Sequence, residues 1–348
     1  MLNISMNMPG ANENQKITNS CHAQHNLFVR YRRHLFCLLF FLFINACDQS
    51  TLKPPFRLGC NRWPGYETLF LGRGLGYLHE DRVRLVELPS ALEVMHALRN
   101  GTLEAGCLTL DEALSLLQEG LDLRVILVFD FSSGGDTLLA KPEFTHLSAL
   151  KGKRIGVENT SVGAILLDGA LHSAGMNNND IKIISAAINE HLALYQAGKV
   201  DALVSFEPVK TQLLARGARQ LFDSSEIPGR IINVLVVRRT MLNQYATAIQ
   251  QLIDSQFKAL AYLQQNPQAA SERMAPRLQI SANAVLNTFQ GMHLLDYNEN
   301  RQLLIGKPPK LQVTAASLAQ LLQAHKLLSR EVSVKKLVDA RFITGKTR

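Results

Sequence analysis

Three acids stand where a strand-like run gives way to a helix: Asp111 after EAGCLTL, Glu158 at the end of KRIGVE and Glu207 after VDALVSF. Acids there can cap free helix amides and favour the helix dipole. They can also do chemistry together, if the three strand ends face one crevice. Like charges gathered in one cleft raise each other's pKa and oppose closure unless a cation sits among them. That pattern suits an amine, an amidine or a protonated heterocycle. Trp63, the only tryptophan, and Tyr66 lie in a Pro/Gly loop directly after the run FRLGC. Aromatic faces there can pack an apolar or cationic ligand part, or Trp63 can plug a core. Two stretches favour an anion instead. Ser161 opens a helix in TSVG, where free amides point outward, and the Ser132–Gly135 run, SSGG, can supply backbone donors. A capped helix and a flexible turn account for these two equally well. Acids together with an amide nest suit a zwitterionic or polar heterocyclic ligand.

Catalytic signatures are not found. The chain has no HExxH, no paired CxxC, no GxSxG and no Walker loop, and its ten histidines are dispersed. We therefore expect no catalytic residues, no metal site, no cofactor and no enzymatic activity. The chain has 37 basic and 29 acidic residues and a net charge of +8. Residues 1–46 hold Lys16, Arg30, Arg32 and Arg33 against Glu13, which leaves +5 on the remainder. No basic stripe with interleaved aromatics occurs, so nucleic acid is not an expected partner.

The elements that position these residues alternate. FRLGC, VRLVEL, EAGCLTL and LRVILVF read as strands, with helical stretches between them capped by Ser90 and closed by Gly101 and Gly120. A second cycle starts near Leu147 with KRIGVE, IKIISA, VDALVSF and RQLFD, and IINVLVVR is the last strong strand. Beyond it the chain reads as helical, over 241–265, 268–276, 282–293 and 315–328. ALRNGTLEAG and LYQAGKVDAL echo each other at Ala97 and Leu194. Strand–helix alternation in two similar halves predicts α/β lobes with a crevice at their junction. Cys60 and Cys107 each lie in a strand-like run. They read as buried apolar residues, or as a disulfide if those strands are neighbours.

At the N-terminus, three arginines precede the apolar run Leu35–Ile44, which ends at Ala46 and Cys47. The run is far short of the ~20 residues that span a bilayer and has the size of a secretory signal's apolar region. A small residue directly before cysteine is similar to the lipobox of bacterial lipoproteins, although Asn45 is unusual in such a box. An ordinary cleaved signal and an uncleaved anchor are the other readings. The first reading predicts lipidation of Cys47. Asp48 resembles the inner-membrane retention signal, which predicts a lipid-anchored protein facing the periplasm of a Gram-negative bacterium.

From Phe56 to at least Val237 the chain resembles the type II periplasmic solute-binding proteins, in the group for nitrate, taurine, alkanesulfonates and thiamine-pyrimidine precursors. The resemblance is carried by WPGYETLFLGRGLGYL, ALRNGTLEAGCLTLDEAL, LKGKRIGVENTSVGAILLDGAL and VDALVSFEPVKTQLLARGARQLFDSSEIPG followed by INVLVVR. It implies a two-lobe fold, each lobe a mostly parallel sheet flanked by helices, with crossings near Asp136–Pro142 and Pro228–Asn233. The expected bounds are 1–47 for the leader, 55–137 plus 231–310 for lobe 1, 138–230 for lobe 2 and 311–348 for a C-terminal helical segment. It implies a monomer that delivers a small molecule to an ABC permease and ATPase complex. It also implies that the Trp63 and Tyr66 loop lines the cleft. Some amine-binding relatives carry an acid in the re-entering strand, where this chain has Asn233. Some eukaryotic relatives make a thiamine pyrimidine with a cysteine-rich segment, which this chain lacks. A sensory partner, a receptor kinase or cyclase, is the alternative to an importer.

Overall fold

A computed structural model describes residues 53–344. The arginines, apolar run and Cys47 of the leader lie outside the described residues. Among the described residues, no helix is long and apolar enough to cross a membrane.

The first sheet begins with β1 (Phe56–Cys60), α1 (Glu67–Gly74), β2 (Val83–Glu87), α2 (Ala91–Arg99), β3 (Ala105–Thr109), α3 (Leu110–Gln118) and β4 (Leu123–Ser132). The helix starts are written locally. Ser90 Oγ accepts from the Glu93 amide at the head of α2. Glu112 Oε2 accepts from the Thr109 amide at the head of α3, the return half of a capping box. The middle of β4 is a continuous buried run, Val125–Phe129, as expected for a strand covered on both faces.

The chain then builds a second sheet from β5 (Asp136–Ala140), β6 (Arg154–Val157), β7 (Lys182–Ser185), β8 (Ala202–Phe206) and β9 (Arg219–Asp223). Its helices are α4 (Ser161–Ser173), α5 (His191–Gln196) and α6 (Val209–Leu214). It returns through β10 (Ile232–Arg238), α7 (Met241–Gln244), α8 (Ala246–Gln265), α9 (Pro267–Leu278), α10 (Ala282–Thr288), β11 (Met292–Leu294), α11 (Tyr297–Leu304) and α12 (Lys310–Ala324). The sheet orders are β11-β4-β10-β3-β1-β2 and β7-β6-β8-β5-β9. This is the two-lobe type II fold, with each sheet flanked by helices.

Each sheet carries one internal strand of opposite direction, supplied by the chain as it crosses from the other lobe. β10 is antiparallel to both β3 and β4, and β5 is antiparallel to both β8 and β9. The reason is topological. Apart from the short edge strand β11, which is also antiparallel to β4, the other strands of each lobe end at the junction, whereas a strand arriving from the opposite lobe starts there and must run away from it. Asp136 and Asn233 sit at or next to the starts of these two strands, so both are delivered to the junction.

Three expectations on elements need correction. The stretch expected to be the first crossing, Asp136–Pro142, contains β5; the chain passes between sheets at Ser133–Gly135 instead. The helix expected over 282–293 stops at Thr288, and Met292–Leu294 pairs with β4 as an edge strand. Residues after 311 are not a separate segment. Leu311, Ala315, Leu318, Leu337 and Ile343 are buried in the same core as β4, and the Val125 amide donates to Leu337 O at 2.7 Å.

Candidate functional site

The chamber between the lobes is lined by Asn61, Trp63, Tyr66, Ala91, Thr109, Glu112 and Asn233 from the first lobe. Asp136, Glu158, Val162 and Phe206 line it from the second. Its volume is about 20 Å³, room for roughly one water. A wider cavity of about 600 Å³ is lined by residues of the same segments, Arg62, Pro89 and Pro208, which lie beside Asn61, Trp63, Ala91 and Phe206 of the chamber.

The first-lobe wall is a buried network on the loop after β1. Trp63 Nε1 donates to Asp130 Oδ2 at 3.0 Å, and Asn233 Nδ2 donates to Asp130 Oδ1 at 2.8 Å. Tyr66 Oη donates to Asn233 Oδ1 at 2.8 Å. Tyr66 packs edge-on against Phe129, and Trp63 packs edge-on against Phe206 across the junction. The loop turns at Gly65, where a Cβ would lie 2.0 Å from Asp130 Oδ2. Asp130 thus orients the tryptophan and, through Asn233, the tyrosine.

The chamber is acidic, and its acids are short of partners. Glu112 Oε1 and Asp136 Oδ2 are buried without a hydrogen-bond partner among the described residues, and both Glu158 oxygens lack one of good geometry, although the Ser90 hydroxyl and the Ile188 backbone lie close enough to favour its ionised form. Burial pushes Glu158 and Asp136 up to about 7 each, and Asp130 likewise. Glu112 is pushed up by burial and then by the neighbouring Asp111. Lys210 stands nearby but donates to Gly134 O at 2.7 Å. Among the described residues, no three or more His, Cys, Asp or Glu side chains are placed to hold a metal ion.

Of the three acids read as convergent, Glu158 lines the chamber, but Asp111 and Glu207 do other work. Asp111 accepts a hydrogen bond from Ser161 Oγ of the other lobe at 2.5 Å. Glu207 caps α6 by accepting from the Thr211 amide at 3.1 Å, with Lys210 at 4.0 Å. The anion sites are corrected as well. The head of α4 at Ser161 is met by the Asp111 carboxylate, a charge from the chain itself. The amides of Ser133 and Gly135 donate to Gly291 O, and that of Gly134 to Ser224 Oγ. Ser132 Oγ bonds Ser224 Oγ at 2.8 Å and accepts from the Asp136 amide. It holds the crossing and does not line the chamber.

Sequence reasoning missed Glu112, Asp130 and Asp136. Glu112 reads locally as the third residue of a capping box, and its Oε2 does accept from the Thr109 amide at 2.9 Å. Asp130 is the one signal that was available: a lone acid inside the continuous apolar run of β4.

The sequence profile of the NMT1-like family matches residues 50–278. The chain belongs to the NMT1-like family. A putative thiamine biosynthesis protein of Haemophilus influenzae is 24% identical over 225 residues, which cover 63% of this chain and 69% of that protein. The alkanesulfonate-binding protein SsuA from Xanthomonas axonopodis pv. citri, bound to MOPS, superposes with a TM-score of 0.69 at 20% identity, covering 83% of this chain and 99% of SsuA. The desulfurization enzyme DszB shares the fold with a TM-score of 0.59 at 19% identity, over 82% of this chain and 97% of the enzyme.

Proposed function

We propose that this NMT1-like protein is an extracytoplasmic solute-binding protein. It captures a small polar molecule carrying a protonated nitrogen between its lobes and delivers it to an ABC permease and ATPase complex. The observation that carries this reading is the set of buried carboxylate oxygens of Glu112, Asp136 and Glu158, without partners of good geometry, around one chamber walled by Trp63 and Tyr66. Buried acids in that state gain most from a cation that both neutralises and hydrogen-bonds them. The ligand enters through the wider cavity, whose volume lies in the usual range for small-molecule sites. The aromatic faces pack the ring or chain that bears the charge. The head of α4 is not assigned to the ligand, because the Asp111 carboxylate stands against it, held by the Ser161 hydroxyl. The protein acts as a monomer without a cofactor, held at the inner membrane by a lipid on Cys47.

Native mass spectrometry of protein purified without refolding, followed by calorimetry with the compound found, tests this. A bound species with at least one basic nitrogen is expected. A simple anion such as nitrate or an alkanesulfonate as the tight ligand would sink the charge reading and leave the fold untouched. A second reading, an enzyme of thiamine-pyrimidine chemistry, draws on the Haemophilus relative and on the enzyme that shares this fold. Conversion of the bound compound on prolonged incubation would favour it over binding. A sensory role is separated from import by whether permease and ATPase genes or a receptor gene lie beside this one.

A further inference from the structure

Two thiols beneath the aromatic loop take no part in the site's chemistry. Cys60 ends β1 and Cys107 lies in β3. These strands are parallel neighbours, with Leu58 opposite Ala105 and Gly59 opposite Gly106, so the next pair in register is Cys60 with Cys107. Their sulphurs are 2.6 Å apart, and both residues are fully buried. Neighbouring strands lie about 4.7–4.9 Å apart, inside the roughly 4.4–6.8 Å between Cα atoms that a disulfide spans. Residues paired in register point to the same face of the sheet. Both cysteines are free thiols here.

We propose that Cys60 and Cys107 become joined by a disulfide, closed while the chain folds in contact with a thiol–disulfide oxidant. One cysteine thiolate attacks the oxidant's disulfide, forming a mixed disulfide and releasing one oxidant thiol. The second cysteine thiolate attacks the mixed disulfide, closing the Cys60–Cys107 bond and releasing the second oxidant thiol. The cysteines lose two electrons and two protons, and the oxidant's disulfide is reduced to two thiols. Timing follows from burial. In the folded chain the Cys107 thiol is pushed well up by desolvation and by the adjacent Cys60, and no oxidant can reach it. The bond therefore closes before the sheet is covered, and the same cover then shields it from reductant. It ties the strand leading into the Trp63 and Tyr66 loop to the strand leading into Thr109 and Glu112, the two strand ends that form the first-lobe wall. The proposal is independent of the ligand reading.

The test uses the full chain, denatured and reduced, then refolded with or without oxidised glutathione and mapped as peptides without reduction. A Cys60–Cys107 linked peptide is expected only with the oxidant. It should resist dithiothreitol in the native protein and open once denaturant is added. The oxidised protein should melt several degrees above the reduced one, and Cys60→Ala should abolish that difference. Recovery of both residues as alkylatable thiols after oxidative refolding would overturn the proposal. So would either residue paired instead with Cys21, Cys37 or Cys47, or a melting difference that survives in Cys60→Ala.

Discussion

Glu158 is the residue on which the charge reading stands or falls, because it lines the chamber with neither oxygen in a hydrogen bond of good geometry, and the nearby Ser90 hydroxyl and Ile188 backbone only moderate the effect of its burial. Removing one charge from a desolvated contact costs about 2–5 kcal/mol, so Glu158→Gln should weaken binding of a cationic ligand at least about tenfold. Glutamine keeps the shape, so the melting temperature should not fall. Calorimetry that finds wild-type affinity in Glu158→Gln would show that the carboxylate is not a ligand group. The same acids set a pH dependence. Glu158 and Asp136 have folded values near 7, above the usual carboxylate range, so the folded state holds protons that the unfolded chain has released. Stability from such groups is complete below their unfolded values and is lost as pH rises through about 7. The ligand-free protein should therefore melt at a lower temperature at pH 8 than at pH 6. His191, lowered to about 4 by burial, acts oppositely: its contribution is present above about 6.5 and lost as pH falls towards 4. It changes little between pH 6 and 8. A cationic ligand binds the ionised acids, so its affinity should rise over the same interval with proton release on binding. Calorimetry in buffers of different ionisation enthalpy reads that release directly.

At the scale of elements, the crossing between β4 and β5 decides where Asp136 points. It is pinned by Gly291 O and Ser224 Oγ, and Gly134 sits in it at φ +112°. A Cβ in that conformation costs about 1–3 kcal/mol. Gly152 offers a comparison, at φ +74° in an open turn of the second lobe with nothing near its missing Cβ. Alanine at either position should lower the melting temperature by a few degrees. Only Gly134→Ala should also weaken ligand binding, because only that turn carries Asp136. Equal affinities in the two variants would show that the crossing is merely a connector. The loop after β1 makes a second test. Gly65→Ala drives a methyl into Asp130 and breaks the Trp63 bond, so the emission of the single tryptophan should shift even without ligand.

At the scale of the whole molecule, the lobes touch through Asp111 and Ser161 and through Trp63 and Phe206. A chamber of about 20 Å³ admits a ligand only if those contacts part. Two chain crossings join the lobes, so they separate by bending about both, a familiar closure motion. Ligand should compact the protein in solution scattering and raise its melting temperature, since it binds the folded state alone. Ser161→Ala removes the hydroxyl that spans the gap and leaves Asp111 buried without that partner. The ligand-free variant should then have a larger radius of gyration than the wild type. If a verified ligand left the radius unchanged in the wild type, hinge closure would be wrong.

Features that depend on near neighbours along the chain are legible in the residues alone. The strand–helix alternation, the helix starts at Ser90 and Ser161 and the two cycles follow from period, capping and burial within short windows. The aromatic loop after β1 and the Asn233 position were legible because each lies at the end of an unmistakable strand. Tertiary structure decided which charges meet. Glu112 looks like a capping residue, and it is one, but only packing aims its second oxygen into the chamber. Asp136 looks like a loop acid after SSGG until β5 inserts antiparallel and brings its first residue to the junction. Asp111 and Glu207 look like ligand groups in the sequence because their local setting matches that of Glu158. They differ only in what the opposite lobe or the next helix presents to them. The Thr211 partner of Glu207 is local, but Asp111 meets Ser161 of the other lobe and Asp130 meets Trp63 and Asn233, residues far away along the chain. Only the arrangement of the two sheets supplies that information.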